Sequence, residues 1–129
     1  MYNEDIELAK KARMNSYSKY SNFQVGAALR TKSGKVYIGC NIENHGIQGI
    51  CAERTAFAKA LSEGEREFEC ITIVGAKKDE EPTEACMPCG YCRQFMSEFV
   101  DRDFKIIVIE KDDIKEYTIE ELLPYSFKL

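Results

Sequence analysis

The stretch Cys51-Ala52-Glu53-Arg54-Thr55-Ala56-Phe57-Ala58-Lys59-Ala60-Leu61 sets apolar side chains at 52, 56, 57, 60 and 61, one face of an α-helix that opens at a cysteine. After Pro88-Cys89-Gly90-Tyr91-Cys92 the apolar positions are 91, 95, 96, 99 and 100, the same offsets. Two matching helices are therefore expected, each with thiols at its N-terminus. Working outward, Cys70-Ile71-Thr72-Ile73-Val74 and Ile106-Ile107-Val108-Ile109 are nearly unbroken apolar and β-branched runs, suited to central strands buried on both faces. Val25, Ala27 and Leu29 alternate with Gln24, Gly26 and Ala28. The turn Thr31-Lys32-Ser33-Gly34 follows, then Val36, Ile38, Cys40 and Ile42 alternate again, which reads as a two-stranded hairpin. Residues 3 to 16, with Ile6, Leu8, Ala9 and Ala12 at helical spacing, predict a first helix ending near Tyr17, and Thr118 to Pro124 a short helix closed by proline. The order α, β-β, α, β, α, β, α indicates an α/β fold. A mixed sheet lies between layers of helices, and ligands are expected where strands feed helix N-termini.

The chain has 129 residues, prolines only at 82, 88 and 124, and neither a linker nor a repeat, so one domain over residues 1–129 is expected. Its formal charge of -4 argues against a basic groove that would displace counterions from a polynucleotide. A small uncharged or weakly charged substrate fits better than nucleic acid. The acidic opening Met1-Tyr2-Asn3-Glu4-Asp5 lacks the basic region of a secretory signal, and no apolar run approaches the ~20 residues of a membrane span. The expectation is a soluble, cytoplasmic protein with no membrane partner. Six cysteines in such a setting read as thiols or metal ligands rather than disulfides.

Three thiols at this spacing are the ligand set of a zinc ion that keeps its fourth tetrahedral position for water. Cys89 and Cys92, three apart on a first helical turn, can face one ion, and Cys51 supplies the third sulfur from the other helix. Helix N-termini carry partial positive charge, which favours thiolate. Glu53, two residues after Cys51, is placed to move protons beside the metal rather than to bind it. Three thiolates around a divalent cation leave one net negative charge, so a positive neighbour is expected. Arg54 and Arg93 adjoin the motifs, and Arg54 is assigned the role of donating to the thiolates. Two alternatives use the run Cys86-x-x-Cys89-x-x-Cys92, a structural zinc with Cys86 as fourth ligand or an iron-sulfur cluster. The structural site does not explain Glu53, and the run lacks the following x3-Cys-Pro of a bacterial ferredoxin. Cys40, Cys70 and Cys86 are read as buried small hydrophobes.

At these residues the chain resembles the cytidine deaminase family, in its short-chain homotetrameric branch. The resemblance rests on Cys51-Ala52-Glu53-Arg54 and Pro88-Cys89-Gly90-Tyr91-Cys92-Arg93-Gln94, the pattern of zinc nucleobase deaminases. It extends to Tyr20-Ser21-Asn22-Phe23-Gln24-Val25-Gly26-Ala27-Ala28-Leu29, Asn41-Ile42-Glu43-Asn44 and Leu122-Leu123-Pro124. It implies a three-layer α/β/α sandwich with a mixed five-stranded sheet, one Zn2+ per subunit on Cys51, Cys89 and Cys92, and a homotetramer with sites at subunit interfaces. The implied reaction is hydrolytic deamination of cytidine and deoxycytidine to uridine and deoxyuridine plus ammonia, a step of pyrimidine salvage. Zinc-bound hydroxide attacks C4 while Glu53 shuttles the proton. The resemblance also implies that Asn41 and Glu43 bond the ribose 3′-hydroxyl, that the Ala52 backbone N–H meets the base, that Phe23 packs on the ring, and that Phe127 enters a neighbouring subunit's site.

One stretch departs from the pattern. His45-Gly46-Ile47-Gln48-Gly49-Ile50 is one residue shorter than usual and lacks a tyrosine found in relatives, where this loop reaches the 5′ side of a ligand. His45, the only histidine, is read as a surface residue or as a contact to the 5′-substituent. The altered loop supports a runner-up reading, a related deaminase of another amino-heterocycle such as blasticidin S. A non-catalytic structural zinc module is the other rival.

Overall fold

The computed structural model describes residues 2–46 and 49–128, so Ile47 and Gln48 of the shortened loop lie outside the described residues. The elements are α1 (Asn3–Arg13), β1 (Phe23–Thr31), β2 (Val36–Cys40), α2 (Ala52–Ser62), β3 (Phe68–Lys77), α3 (Gly90–Ser97), β4 (Lys105–Glu110), β5 (Asp113–Thr118) and α4 (Ile119–Leu122). They build one five-stranded sheet in the order β2-β1-β3-β4-β5. It is mixed: β3 and β4 run parallel, joined through α3, and the other neighbours are antiparallel. The α/β/α layering follows from the two faces of the sheet. Ile6 and Ala9 of α1 pack with Ala28, Val74 and Ile109 on one face, while Phe57 of α2 and Met96 of α3 join Leu29, Ile71, Ile73, Ile106 and Val108 on the other.

Strands β3 and β4 carry the apolar runs and are buried throughout their centres, as expected for strands covered on both sides. Strand β5 has no such signal. Its residues Asp113-Ile114-Lys115-Glu116-Tyr117-Thr118 are mostly exposed, because an edge strand has one unpaired side and tolerates the charges that keep other chains from pairing with it. The hydrophobic pattern alone finds four strands, and only the resemblance anticipated five. Helix α1 stops at Arg13, short of the expected Tyr17, for a nearby reason. The Tyr17 backbone pairs with the extended chain after β2, its N–H donating to Asn41 O at 3.1 Å and its carbonyl accepting from Glu43 N at 2.8 Å. Arg13 itself turns inward and donates to the carbonyls of Gln24, Ala76 and Lys77, tying α1 to the end of the sheet where β1 begins and β3 ends. Helix α4 opens on a capping box of Thr118 and Glu121 and ends at Leu122, before Pro124 as read.

A close approach of helix to sheet sets the position of the cysteine-bearing end of α2. A Cβ on Gly39 would lie 2.6 Å from Ala56 N and 2.8 Å from Ala52 O, so the bare glycine lets the first turns of α2 rest directly on β2. Both contacts are backbone and cannot swing aside. Gly39→Ala should therefore lower unfolding free energy by about 1–3 kcal/mol, the usual cost of overpacking, as read from urea denaturation. Unchanged stability would mean that the helix does not seat on this glycine. Among the described residues no helix is long and apolar enough to cross a membrane.

Candidate metal centre and active site

Antiparallel pairing brings the start of β1, the end of β2 and the end of β3 to one edge of the sheet, with Phe23 opposite Lys77 and Gly26 opposite Cys40. The chain leaves β2 and β3 there and re-enters as α2 and α3. Cys51 is the N-cap of α2 and Cys89 the N-cap of α3, and Cys92 lies in the first turn of α3 with its N–H donating to Cys89 Sγ at 3.4 Å. The three sulfurs lie within 4.8 Å of one another, and Cys51 Sγ is 3.8 Å from Cys89 Sγ. Two thiolates bound tetrahedrally to zinc at about 2.3 Å stand about 3.8 Å apart, so Cys51 and Cys89 already have the spacing the ion requires. Among the described residues no fourth His, Cys, Asp or Glu joins this group. Cys86 stays outside it. Its thiol is pushed up to about 12 by burial first, then by the charges of Glu53 and Cys51.

The cluster favours charge on sulfur. Cys51 is lowered to about 5, led by a hydrogen bond from Cys92, with Arg54 and Cys89 adding and burial opposing. Cys92 moves up for the same reason, because it is the thiol that keeps the shared proton. Arg54 Nη2 donates to Cys51 Sγ at 3.7 Å, the role expected of it from charge. Arg93 does not share that role. Its Nε donates to Pro88 O and its Nη1 to Leu122 O, each at 2.8 Å, fastening α3 to the preceding loop and to α4. Glu53, in the first turn of α2, is only 4 % exposed. Burial pushes its carboxyl up to about 7, and the charge on Cys51 adds to the effect.

A cavity of about 560 Å3 opens from Cys51 and is lined by Asn41, Glu43, His45 and Tyr20, among others. The side chains of Asn41 and Glu43 are held by the protein. Asn41 Oδ1 accepts from Val25 N at 3.0 Å and from Ser16 Oγ, and its Nδ2 donates to Phe23 O at 3.0 Å, so the carboxamide pairs with β1 as a strand residue would. Glu43 Oε1 accepts from the N–H groups of Tyr20 and Ser21 at 3.0 and 3.1 Å, and Oε2 accepts from the Ser21 hydroxyl. The Ser21 bonds hold the Glu43 carboxyl below its ordinary value. Tyr20 Oη lies 3.2 Å from His45 Nδ1, which fixes His45 on the cavity wall. Ala52 is the first residue of α2, so its N–H has no acceptor within the helix. Phe23 stands at the head of β1, 38 % exposed, over Gly75, where a Cβ would come within 2.9 Å of its ring and 2.7 Å of Cys86 Sγ.

Phe127 does not join this group within one chain. It is 64 % exposed, is tied by a 3.4 Å bond from Gln94 Nε2 to its carbonyl, and, like Phe23 and Ala52, is absent from the lining of the cavity. A second cavity of about 580 Å3, between the end of α3, α4 and the C-terminal tail, contains none of the candidate residues. Sequence reasoning missed Ser16, Ser21 and Tyr91. Tyr20-Ser21 and Tyr91 stood inside recognised motifs, but nothing in their spacing announces what each touches, and Ser16 carried no signal at all.

Residues 2–108 match the family described as the cytidine and deoxycytidylate deaminase zinc-binding region. The chain belongs to the cytidine deaminase family. It is 45% identical over 124 residues to the cytidine deaminase of Sporosarcina psychrophila, covering 95% of this chain and 88% of that one. The crystal structure of cytidine deaminase from Burkholderia pseudomallei superposes with a TM-score of 0.89 at 40% identity, covering 98% of this chain and 99% of that one. The blasticidin-S deaminase of Bacillus cereus is more distant, 32% identical over 130 residues, with 96% and 92% of the two chains covered. The α/β fold of this family is thus present in the chain, and the cluster of Cys51, Cys89 and Cys92 fits a zinc site.

Proposed function

We propose that this family member hydrolyses cytidine and deoxycytidine to uridine and deoxyuridine, releasing ammonia. The observation that carries the reading is the convergence of three sulfurs at zinc spacing with buried Glu53 and with a cavity that also presents Asn41 and Glu43. Cys51, Cys89 and Cys92 would hold the zinc ion, which when bound would supply the Lewis acidity that activates water. Glu53 takes one proton of the attacking water and hands it to N3 of the pyrimidine, then takes the second from the oxygen now on C4 and passes it to the amine leaving C4. A C4–O bond forms, a C4–N bond breaks, and the water's hydrogens leave with the ammonia and on the ring.

The remaining hydrogen-bond capacity of Asn41 and Glu43 matches a sugar hydroxyl. Asn41 Oδ1 already accepts two bonds and Nδ2 has used one of its two N–H groups, so one donor is left. Glu43 Oε2 accepts one bond and keeps one free acceptor direction. One hydroxyl can accept from the first and donate to the second, which suits the ribose 3′-hydroxyl. Phe23 packs on the base, and the free N–H of Ala52 meets its polar edge. Assembly as a homotetramer accounts for Phe127, which stands exposed outside its own chain's cavity and serves the site of a neighbour. The setting proposed is cytoplasmic pyrimidine salvage, with the whole chain forming one deaminase domain.

A second reading, deamination of blasticidin S, has two supports, the likeness to the Bacillus cereus enzyme and His45 held on the cavity wall by Tyr20. A substrate panel decides between them. Zinc-loaded protein should show its highest kcat/KM with cytidine or deoxycytidine and much lower values with cytosine, CMP and adenosine. A preference for blasticidin S over both nucleosides would transfer the site to the second reading.

A further inference from the structure

Arg54 is held by very little that hydrogen-bonding would predict. Among the described residues its side chain bonds only thiols, Cys51 Sγ at 3.7 Å and, beside it, Cys92, its buried Nε has no acceptor, and no carboxylate pairs with it. A sulfur is a weak acceptor and would not by itself fix a long, mobile side chain. The guanidinium instead lies over an aromatic ring. Its central carbon is 4.2 Å from the centroid of Tyr91, within range of a favourable cation–π contact. Arg54 belongs to the first turn of α2 and Tyr91 to the first turn of α3, so this contact joins the two helix ends that carry the thiols.

Taking the zinc reading above as its basis, we infer that Tyr91 is a positioning residue for the metal centre, clamping Arg54 over Cys51 and so holding the thiolate of α2 in register with the pair on α3. The clamp supplies charge compensation without adding an acidic partner, which would cancel it. Tyr91 is 53 % exposed, so replacing it removes a ring from the rim rather than a piece of the core. Tyr91 also stands between the two thiols that α3 contributes, which limits how far the ring and Cys92 can move apart.

The test is a double-mutant cycle on zinc affinity, measured by competition with a chromophoric chelator, with sulfur-to-cobalt charge-transfer absorption of the Co2+-substituted protein as a second readout. Tyr91→Ala and Tyr91→Leu should each weaken zinc about tenfold, since both lose the π-face and Leu keeps the apolar bulk. Tyr91→Phe should stay within about twofold of wild type, because the ring face is what Arg54 uses. In an Arg54→Ala background, Tyr91→Ala should change affinity no further, and both single variants should shift the cobalt band in the same direction. Rescue by Leu, loss in Phe, or an equal loss with and without Arg54 would overturn the clamp. Wild-type affinity in Tyr91→Ala would do so as well. Failure of the wild-type protein to bind zinc would overturn the zinc reading along with it, whereas tight wild-type binding unaffected by Tyr91 removes the clamp alone.

Discussion

Glu53→Gln is expected to keep its zinc and its fold while turnover of cytidine falls by about 10³-fold or more. The substitution is isosteric, and at 4 % exposure the amide occupies the space of the carboxyl without opening a path for water. What disappears is the buried carboxylate that feels the charge on Cys51 and can accept the water's proton and return it to the pyrimidine. The thiol of Cys86 is near enough to feel the charges of Glu53 and Cys51 but is held protonated, so it offers no substitute base. Glu43 is bonded by Tyr20 and Ser21, and its remaining acceptor direction is the one assigned to the sugar hydroxyl. The checks are steady-state kinetics beside metal content and thermal melting of the same preparation. Turnover within tenfold of wild type would remove Glu53 from the proton path.

Cys51→Ala should abolish zinc retention on dialysis, and activity with it. Two sulfurs from one helix remain, but they no longer span the gap between α2 and α3. The loss should exceed by far the roughly 10- to 100-fold that removal of a partner outside the ligand set costs, the class to which Arg54 belongs. The ranking is itself diagnostic: Cys51→Ala well below Arg54→Ala, and Arg54→Ala at or below Tyr91→Ala. Metal analysis of the dialysed proteins gives the order. Full zinc occupancy in Cys51→Ala would mean that the ion is held elsewhere.

Much of this architecture is legible in the sequence because its signals are local. The offsets shared by 52–61 and 91–100 mark two helices, and the apolar runs at 70–74 and 106–109 mark strands buried on both faces. Strand β5 escapes the pattern because an edge position rewards charge, and α1 ends early because pairing of Tyr17 with Asn41 and Glu43, 24 to 26 residues away, outweighs helix propensity. At the site, the cysteine spacing and the need for a counter-charge at Arg54 could be read in advance. Which arginine answers that need could not, since Arg93 also adjoins a ligand and is drawn instead to the carbonyls of Pro88 and Leu122. The partners that lock Asn41 and Glu43, Ser16 and Ser21, are set by tertiary contacts alone.

The account stands most directly on a zinc titration of the metal-free protein, with cytidine turnover and bound metal measured in the same samples. Uridine formation should be absent without zinc, should rise in proportion to bound zinc, and should level off at one equivalent per chain. Turnover in the metal-free protein, or full occupancy by zinc with no uridine formed, would contradict it.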